Sequence, residues 1–170
     1  MTDTSDYTIR CVVETPKGSR NKYEYDPKRD AITLDRFLFS SVVYPTDYGY
    51  VPDTLAPDGD TLDVLVCVSE PTFPGCVVKC RPIGLLDMSD EKGLDSKLLC
   101  VPCGDPTWNT LERVEDLPSQ LRLEISHFFA IYKDLEPGKE STVKGWRNRD
   151  AALRELEEAR ERYEASHAPV

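Results

Sequence analysis

The chain has 170 residues, 39% of them apolar and 31% charged, and a formal net charge of −10. That length can bury one proper core without staples, and no stretch approaches the roughly 20 consecutive apolar residues of a membrane helix. The acidic balance argues against nucleic acid as a partner, because such binding is driven by Lys and Arg neutralising phosphates.

Met1–Asp6 is polar and carries no apolar core of a signal peptide, so a cytoplasmic protein is expected. No repeat, low-complexity segment or internal linker interrupts residues 1–170, which predicts a single domain. Tyr7 to Thr15 is rich in β-formers, and Lys22-Tyr23-Glu24-Tyr25 and parts of Ala31 to Leu38 alternate in polarity. Tyr44 to Tyr50 is an unusual aromatic turn. Leu62 to Val68 is a nearly continuous apolar run. Cys76 to Met88 predicts a long strand in which Pro82 marks a bend or edge, and Lys97 to Pro102 predicts another. Pro16-Lys17-Gly18, Pro57-Asp58-Gly59-Asp60 and Pro74-Gly75 punctuate these runs as turns. Many short strands between turns suggest a closed barrel or a sandwich.

The last third changes period. Leu117, Leu121, Ile125, Phe128, Phe129 and Tyr132 follow helical spacing, with Pro118 suited to the first turn and Gly138 beyond the end. A second helix is expected from about Asn148, a plausible N-cap, to Ser166, with Ala152, Leu156, Ala159 and Tyr163 as its apolar stripe. Its remaining faces are charged and read as solvated.

Six cysteines, Cys11, Cys67, Cys76, Cys80, Cys100 and Cys103, should be reduced in a cytosolic chain. The spacings Cys76-x3-Cys80 and Cys100-x-x-Cys103 could supply a four-thiolate zinc site. All but Cys103 lie in apolar runs, however, where free cysteine behaves as a small buried hydrophobe, and that reading is preferred.

The strongest local signal is Asp58-Gly59-Asp60-Thr61-Leu62-Asp63, three acids at the mouth of an apolar strand. Asp87, Asp90, Glu91 and Asp95 follow, beside Lys97. Packed together, such carboxylates repel and raise one another's pKa unless a multivalent cation relieves them. All-oxygen ligands select hard ions, so Mg²⁺ or Mn²⁺ is implied over zinc. A solitary acidic turn is usually only a turn. What lifts this one is the set of cations and phenols elsewhere. Lys22 and Glu24 share one face of a strand. Arg36 sits near a strand end, the Tyr44–Tyr50 turn is phenol-rich, and Tyr132-Lys133 closes the first helix. Arg grips phosphate oxygens bidentately, Lys acts as a point charge, and tyrosine hydroxyls donate without adding charge. Metal ions between carboxylates and phosphates would make the site cationic within an acidic protein.

With these residues in place, the chain resembles the soluble family I inorganic pyrophosphatases. The matching pieces are Glu14-Thr-Pro, Gly18-Ser19, Lys22-Tyr23-Glu24, Asp35-Arg36-Phe37, Tyr44-Pro45 through Tyr50, and Asp58-Gly-Asp60-x-x-Asp63-Val64. Met88-x-Asp90-Glu91-x3-Asp95-x-Lys97 and His127-Phe128-Phe129-x-x-Tyr132-Lys133 complete them, in the family's order over nearly the whole chain. The resemblance implies a mainly β (α+β) fold: an OB-like closed five-stranded barrel with two helices from the C-terminal half packed against it. It implies Mg²⁺-dependent hydrolysis of pyrophosphate to two orthophosphates, with several Mg²⁺ per site and Mn²⁺ as a substitute. It also implies a homo-oligomer, commonly a hexamer in bacterial members, without nucleic acid or membrane as partner.

Residue by residue, the resemblance assigns Asp58, Asp63 and Asp95 to one metal, Asp63 to a second, and Asp90 with Asp95 to another. Glu14 is expected near a further metal and Glu24 near its water shell, within the substrate-binding set. Asp60 takes the part of general base. Lys22, Arg36, Tyr48, Lys97, Tyr132 and Lys133 take the part of phosphate ligands, with Tyr44 and Glu91 one layer behind. His127 corresponds to an interface residue, and Ile131 stands where many bacterial members carry histidine. Two rivals fare worse. A different metal-dependent phosphohydrolase acting on nucleoside triphosphates or polyphosphate finds no nucleotide fingerprint here, neither G-x-x-x-x-G-K-[ST] nor G-x-G-x-x-G. A strand-binding OB module would need a basic groove, which the acid clusters oppose.

Overall fold

The computed structural model describes residues 7–169, so the reading of Met1–Asp6 lies outside the described residues. Nine strands and two helices follow in the order β1 (Ile9–Thr15), β2 (Asn21–Asp26), β3 (Ala31–Phe37), β4 (Asp47–Val51), β5 (Leu62–Val66), β6 (Val77–Asp90), β7 (Gly93–Leu94), β8 (Lys97–Pro102), α1 (Ser119–Ile131), β9 (Ser141–Arg147) and α2 (Arg149–Ser166). A short 3-10 turn at Val114–Asp116 precedes α1.

Five strands close on themselves in the order β1–β4–β5–β8–β6 and back to β1. All pairs are antiparallel except β5–β8, which is parallel with Val64 opposite Leu98. This ring is the expected five-stranded barrel, and two helices flank it. Strand β6 makes the closure possible. Its start pairs with β1, its middle with β8, and its end with β7 and β9. It turns between these partners at register shifts next to Pro82 and next to Asp87, so Pro82 marks a bend as its chemistry predicts.

The unbroken apolar runs are explained by burial on both faces. Leu65, Cys67, Leu86, Leu99 and Val101 pack with Ile125, Phe128 and Phe129 of α1. Their neighbours Val64, Val66, Leu85, Leu98 and Cys100 pack with Ala151, Ala152, Leu156 and Ala159 of α2. Helix α2 starts as predicted, with the Asn148 side chain accepting a hydrogen bond from the Ala151 N–H. Pro118 sits at the N-cap of α1 rather than inside its first turn. All six cysteines are free, and Cys11, Cys67, Cys80 and Cys100 are buried.

Two strands depart from the sequence reading. The aromatic turn is a strand, β4, from Asp47 onward, held at its start by the buried Asp47 carboxylate, which accepts from Lys17 N at 2.8 Å and Thr72 Oγ1 at 2.6 Å. Gly49 is needed there because a Cβ would lie 2.0 Å from the Val12 carbonyl oxygen of β1. Strand β9, to which no structure is assigned from sequence, pairs with the end of β6. Strands β2 and β3 form a separate two-stranded sheet. It is tied to the ring by side chains: Glu14 Oε2 accepts from Tyr25 N at 2.8 Å, and Thr15 Oγ1 accepts from Tyr23 N at 3.1 Å.

Candidate active site

The separate hairpin, the ring and the end of α1 enclose one cavity of about 740 Å³. Thirteen of the fifteen residues singled out from sequence line it: Glu14, Lys22, Glu24, Arg36, Tyr48, Asp58, Asp60, Asp63, Asp90, Glu91, Asp95, Tyr132 and Lys133. Tyr44 and Lys97 are the other two. Both are buried, at 1% exposure, behind the wall.

Each carboxylate is placed by its own local structure. Glu14 lies near the end of β1, Asp63 is second in β5, and Asp90 closes β6. Asp58 and Asp60 ride a tight turn that Gly59 permits by its φ of +87°. Asp58 Oδ1 accepts from the Asp60 N–H at 3.0 Å, the side-chain-to-backbone bond that makes Asp a turn former.

The cations are already paired with acids. Lys97 Nζ lies 2.8 Å from Asp63 Oδ2 and 3.2 Å from Asp95 Oδ2, and it donates to the Tyr48 hydroxyl at 3.2 Å. Its charge therefore reaches the cavity through those two carboxylates. Lys133 Nζ lies 3.2 Å from Asp90 Oδ2 and 3.6 Å from Glu91 Oε1. Lys22 contacts Glu24 and, at 3.1 Å, Asp35. Arg36 meets Asp35 through Nη1 at 2.8 Å and Glu136 through Nε at 2.8 Å.

Charge remains out of balance. Ten acids line the cavity against five basic side chains. The titration of the groups follows. Burial, assisted by Asp63 and Glu24 and opposed by the Tyr25 N–H, pushes Glu14 up to about 8. Burial, with Asp58 alongside, raises Asp60. Burial and the neighbouring Asp63 raise Asp95 against the pull of Lys97. At Asp90 burial is outweighed by the Lys92 N–H and the Lys133 ammonium, which hold the carboxyl below its usual range. Burial works against the Lys97 ammonium, yet Asp63 and Asp95 hold its proton more tightly than usual. Burial raises Tyr44, Tyr48 and Tyr132 well above the ordinary phenol range, so all three are neutral hydroxyl donors.

Among the described residues, no three histidine, cysteine, aspartate or glutamate side chains converge into a ready-made metal cage. The acids face a shared space and keep lone pairs available. Lys97 uses only the Oδ2 atoms of Asp63 and Asp95, and the Asp60 carboxylate accepts no hydrogen bond from the described residues. The donor set is all oxygen, which suits a hard divalent cation. Sequence reasoning misses Tyr50, Asp53, Lys92, Lys139 and Tyr163 in the lining, and Glu136 against Arg36. Tyr50 closes the matched Tyr44–Tyr50 run without a role assigned to it, and Asp53 lies just beyond that run. Lys139, Tyr163 and Glu136 reach the site only through the tertiary fold.

The cavity's carboxylates, cations and neutral phenols suit a small, multiply charged ligand. The family model for inorganic pyrophosphatase matches residues 11–164. An inorganic pyrophosphatase of Methanosarcina acetivorans is 56% identical over 164 residues, covering 96% of this chain and 97% of the relative. One from Streptomyces coelicolor is 53% identical over 151 residues, covering 89% and 93%. The crystal structure of inorganic pyrophosphatase from Thermus thermophilus superposes with a TM-score of 0.91 at 47% identity, covering 95% of this chain and 94% of that one. The chain belongs to the family I inorganic pyrophosphatases, and it is an inorganic diphosphatase, a hydrolase of the phosphoanhydride bond. Among the described residues no helix is long and apolar enough to cross a membrane.

Proposed function

We propose that this hydrolysis depends on Mg²⁺, with Mn²⁺ as a substitute, and that Asp60 is its general base. The observation that carries the metal requirement is the charge of the cavity: ten acids against five basic side chains would repel a polyphosphate. Divalent cations reverse that sign, and the oxygen donors present suit them. Asp58, Asp63, Asp90, Asp95 and Glu14 are the residues to hold them, with Glu24 beside their water shell. When bound, the ions lower the pKa of water and neutralise phosphate charge.

The chain's own groups do the rest. Asp60 shares a tight turn with Asp58, and its carboxylate is unclaimed by other described groups, so it is placed to take a proton from the attacking water. Lys22, Arg36 and Lys133 supply positive charge to the phosphates, and the neutral Tyr48 and Tyr132 hydroxyls donate hydrogen bonds. Lys97 is placed to add charge through Asp63 and Asp95 and to fix the Tyr48 hydroxyl. Tyr44 supports this set from behind, whereas Glu91, expected there too, stands in the lining 3.6 Å from Lys133. No protein nucleophile is needed, which agrees with the exposed His127 and His167 lying outside the lining.

We further place residues 1–170 as one catalytic domain acting in the cytoplasm as a homo-oligomer, of hexameric type. Leu123, His127 and Ile131 share one face of α1 at four-residue spacing; Leu123 is 65% exposed and His127 is exposed, as suits a subunit contact. The deciding experiment is orthophosphate release from pyrophosphate with Mg²⁺, with Mn²⁺ and with EDTA, beside ATP as a control substrate. Release from pyrophosphate that stops with EDTA and returns with Mg²⁺ is the expected result. Undiminished release in EDTA would overturn the metal requirement.

A further inference from the structure

Glu136 has no part in the reading above, yet it is among the few charged side chains the fold buries, at 6% exposure. It lies past the end of α1, three residues beyond Lys133, in a turn closed by its own N–H donating to the Lys133 carbonyl at 2.9 Å. Its Oε1 stands 2.8 Å from Arg36 Nε. Its Oε2 is buried and accepts no hydrogen bond from the described residues. Arg36 is its only ion-pair partner within 4 Å among the described residues. A buried carboxylate with a single partner is costly to keep, and such a group calls for an explanation.

The explanation lies in what Arg36 would otherwise lack. It sits in β3, in the small sheet that shares no backbone ladder with the ring. A long side chain there has many rotamers and an exposed hairpin as its base. Asp35 accepts a hydrogen bond from Nη1 at 2.8 Å, and Glu136 Oε1 stands 2.8 Å from Nε as an ion-pair partner without hydrogen-bond alignment, so the guanidinium is flanked by negative charge on two sides. Nη2 is left without a protein partner among the described residues. Glu136 comes from the same chain segment as Tyr132 and Lys133. The pairing thus ties the hairpin's cation to the segment that carries two other proposed phosphate ligands.

We propose that Glu136 is a positioning residue for Arg36, aiming its guanidinium at the substrate phosphate and locking the β2–β3 hairpin to the end of α1. This rests on the reading of Arg36 as a phosphate ligand. A misplaced ligand loses transition-state binding even though its charge is still present.

The test is a double-mutant cycle on the full chain with Mg²⁺-pyrophosphate, using Arg36→Ala, Glu136→Gln and the pair. Glu136→Gln should raise KM and lower kcat/KM by roughly 10-fold. In the Arg36→Ala background the same change should alter kcat/KM less than twofold. Glu136→Asp, which keeps the charge one methylene short, should recover part of the loss, and it carries the cycle if the glutamine variant does not fold. A merely structural Glu136 would lower kcat with the active fraction, leave KM unchanged and add its full effect to Arg36→Ala. That result overturns the inference, as does an unimpaired Glu136→Gln beside an impaired Arg36→Ala. An unimpaired Arg36→Ala overturns both the inference and the ligand role on which it rests.

Discussion

Asp58 and Asp60 show how two carboxylates two residues apart receive different duties. Asp58 spends one oxygen on the Asp60 N–H and so stiffens the turn. Asp60 keeps both oxygens unclaimed by the described residues, and burial beside Asp58 raises its proton affinity above that of a free aspartate. In the proposed role of base, a group with those properties should be hard to replace by an isosteric amide. Asp60→Asn is expected to lower kcat by on the order of 10²- to 10⁴-fold with a native circular dichroism spectrum. Turnover within threefold of the parent would remove Asp60 from the base role. At this scale the sequence is highly legible, because the site's own side chains sit in short spacings that a reader can see. What it hides is pairing. Nothing in the order of residues shows that Lys97 faces Asp63 and Asp95 from behind the wall, or that Glu136 meets Arg36 across 100 positions of chain.

The elements were legible in proportion to how completely they are buried. Strand β8 is fully buried along Lys97–Pro102, and its bounds agree with the apolar run. Helix α2 is legible from both its stripe and its cap. Strand β4 is hidden because it opens on a buried aspartate and contains Gly49, both of which signal a turn when seen without their partners. Strand β9 is hidden because no residue in it is fully buried and because Gly145 breaks its pattern. Where a local device is visible, its worth can be measured. Asn148→Ala deletes the acceptor that caps α2 and should lower unfolding free energy by about 1 kcal/mol in urea, with specific activity unchanged at 25 °C. A change in activity larger than the change in stability would show that α2 does more than pack.

The whole molecule carries a charge conflict that its cavity concentrates. With the carboxyl of Glu14 pushed up to about 8 from 4.5, the metal-free native state binds a proton that the unfolded chain has released. Asp95, raised in the same sense, adds to the effect. Native stability is then full below about pH 4.5 for the Glu14 contribution and declines as pH rises toward 8, by about 5 kcal/mol if the whole shift is expressed. Urea midpoints in EDTA should fall across pH 5–8. Excess Mg²⁺ should flatten or reverse the slope, since it favours the deprotonated form. A midpoint in EDTA that is flat over that range would contradict the burial assigned to Glu14. The ring that frames this cavity has a consequence in time as well as in space. Its closing contact joins β1, the first of the ring strands in chain order, to β6, and its parallel contact joins β5 to β8 across the intervening β6. Neither can be made early in synthesis, and pairings so distant along the chain fold slowly. A nascent chain stopped before residue 97 holds Glu14, Lys22, Arg36 and the Asp58–Asp63 turn but lacks β8, which closes the ring between β5 and β6, and the segment of Tyr132 and Lys133. Catalytic competence is therefore acquired late and nearly all at once, so that partially made chains are inert toward their substrate.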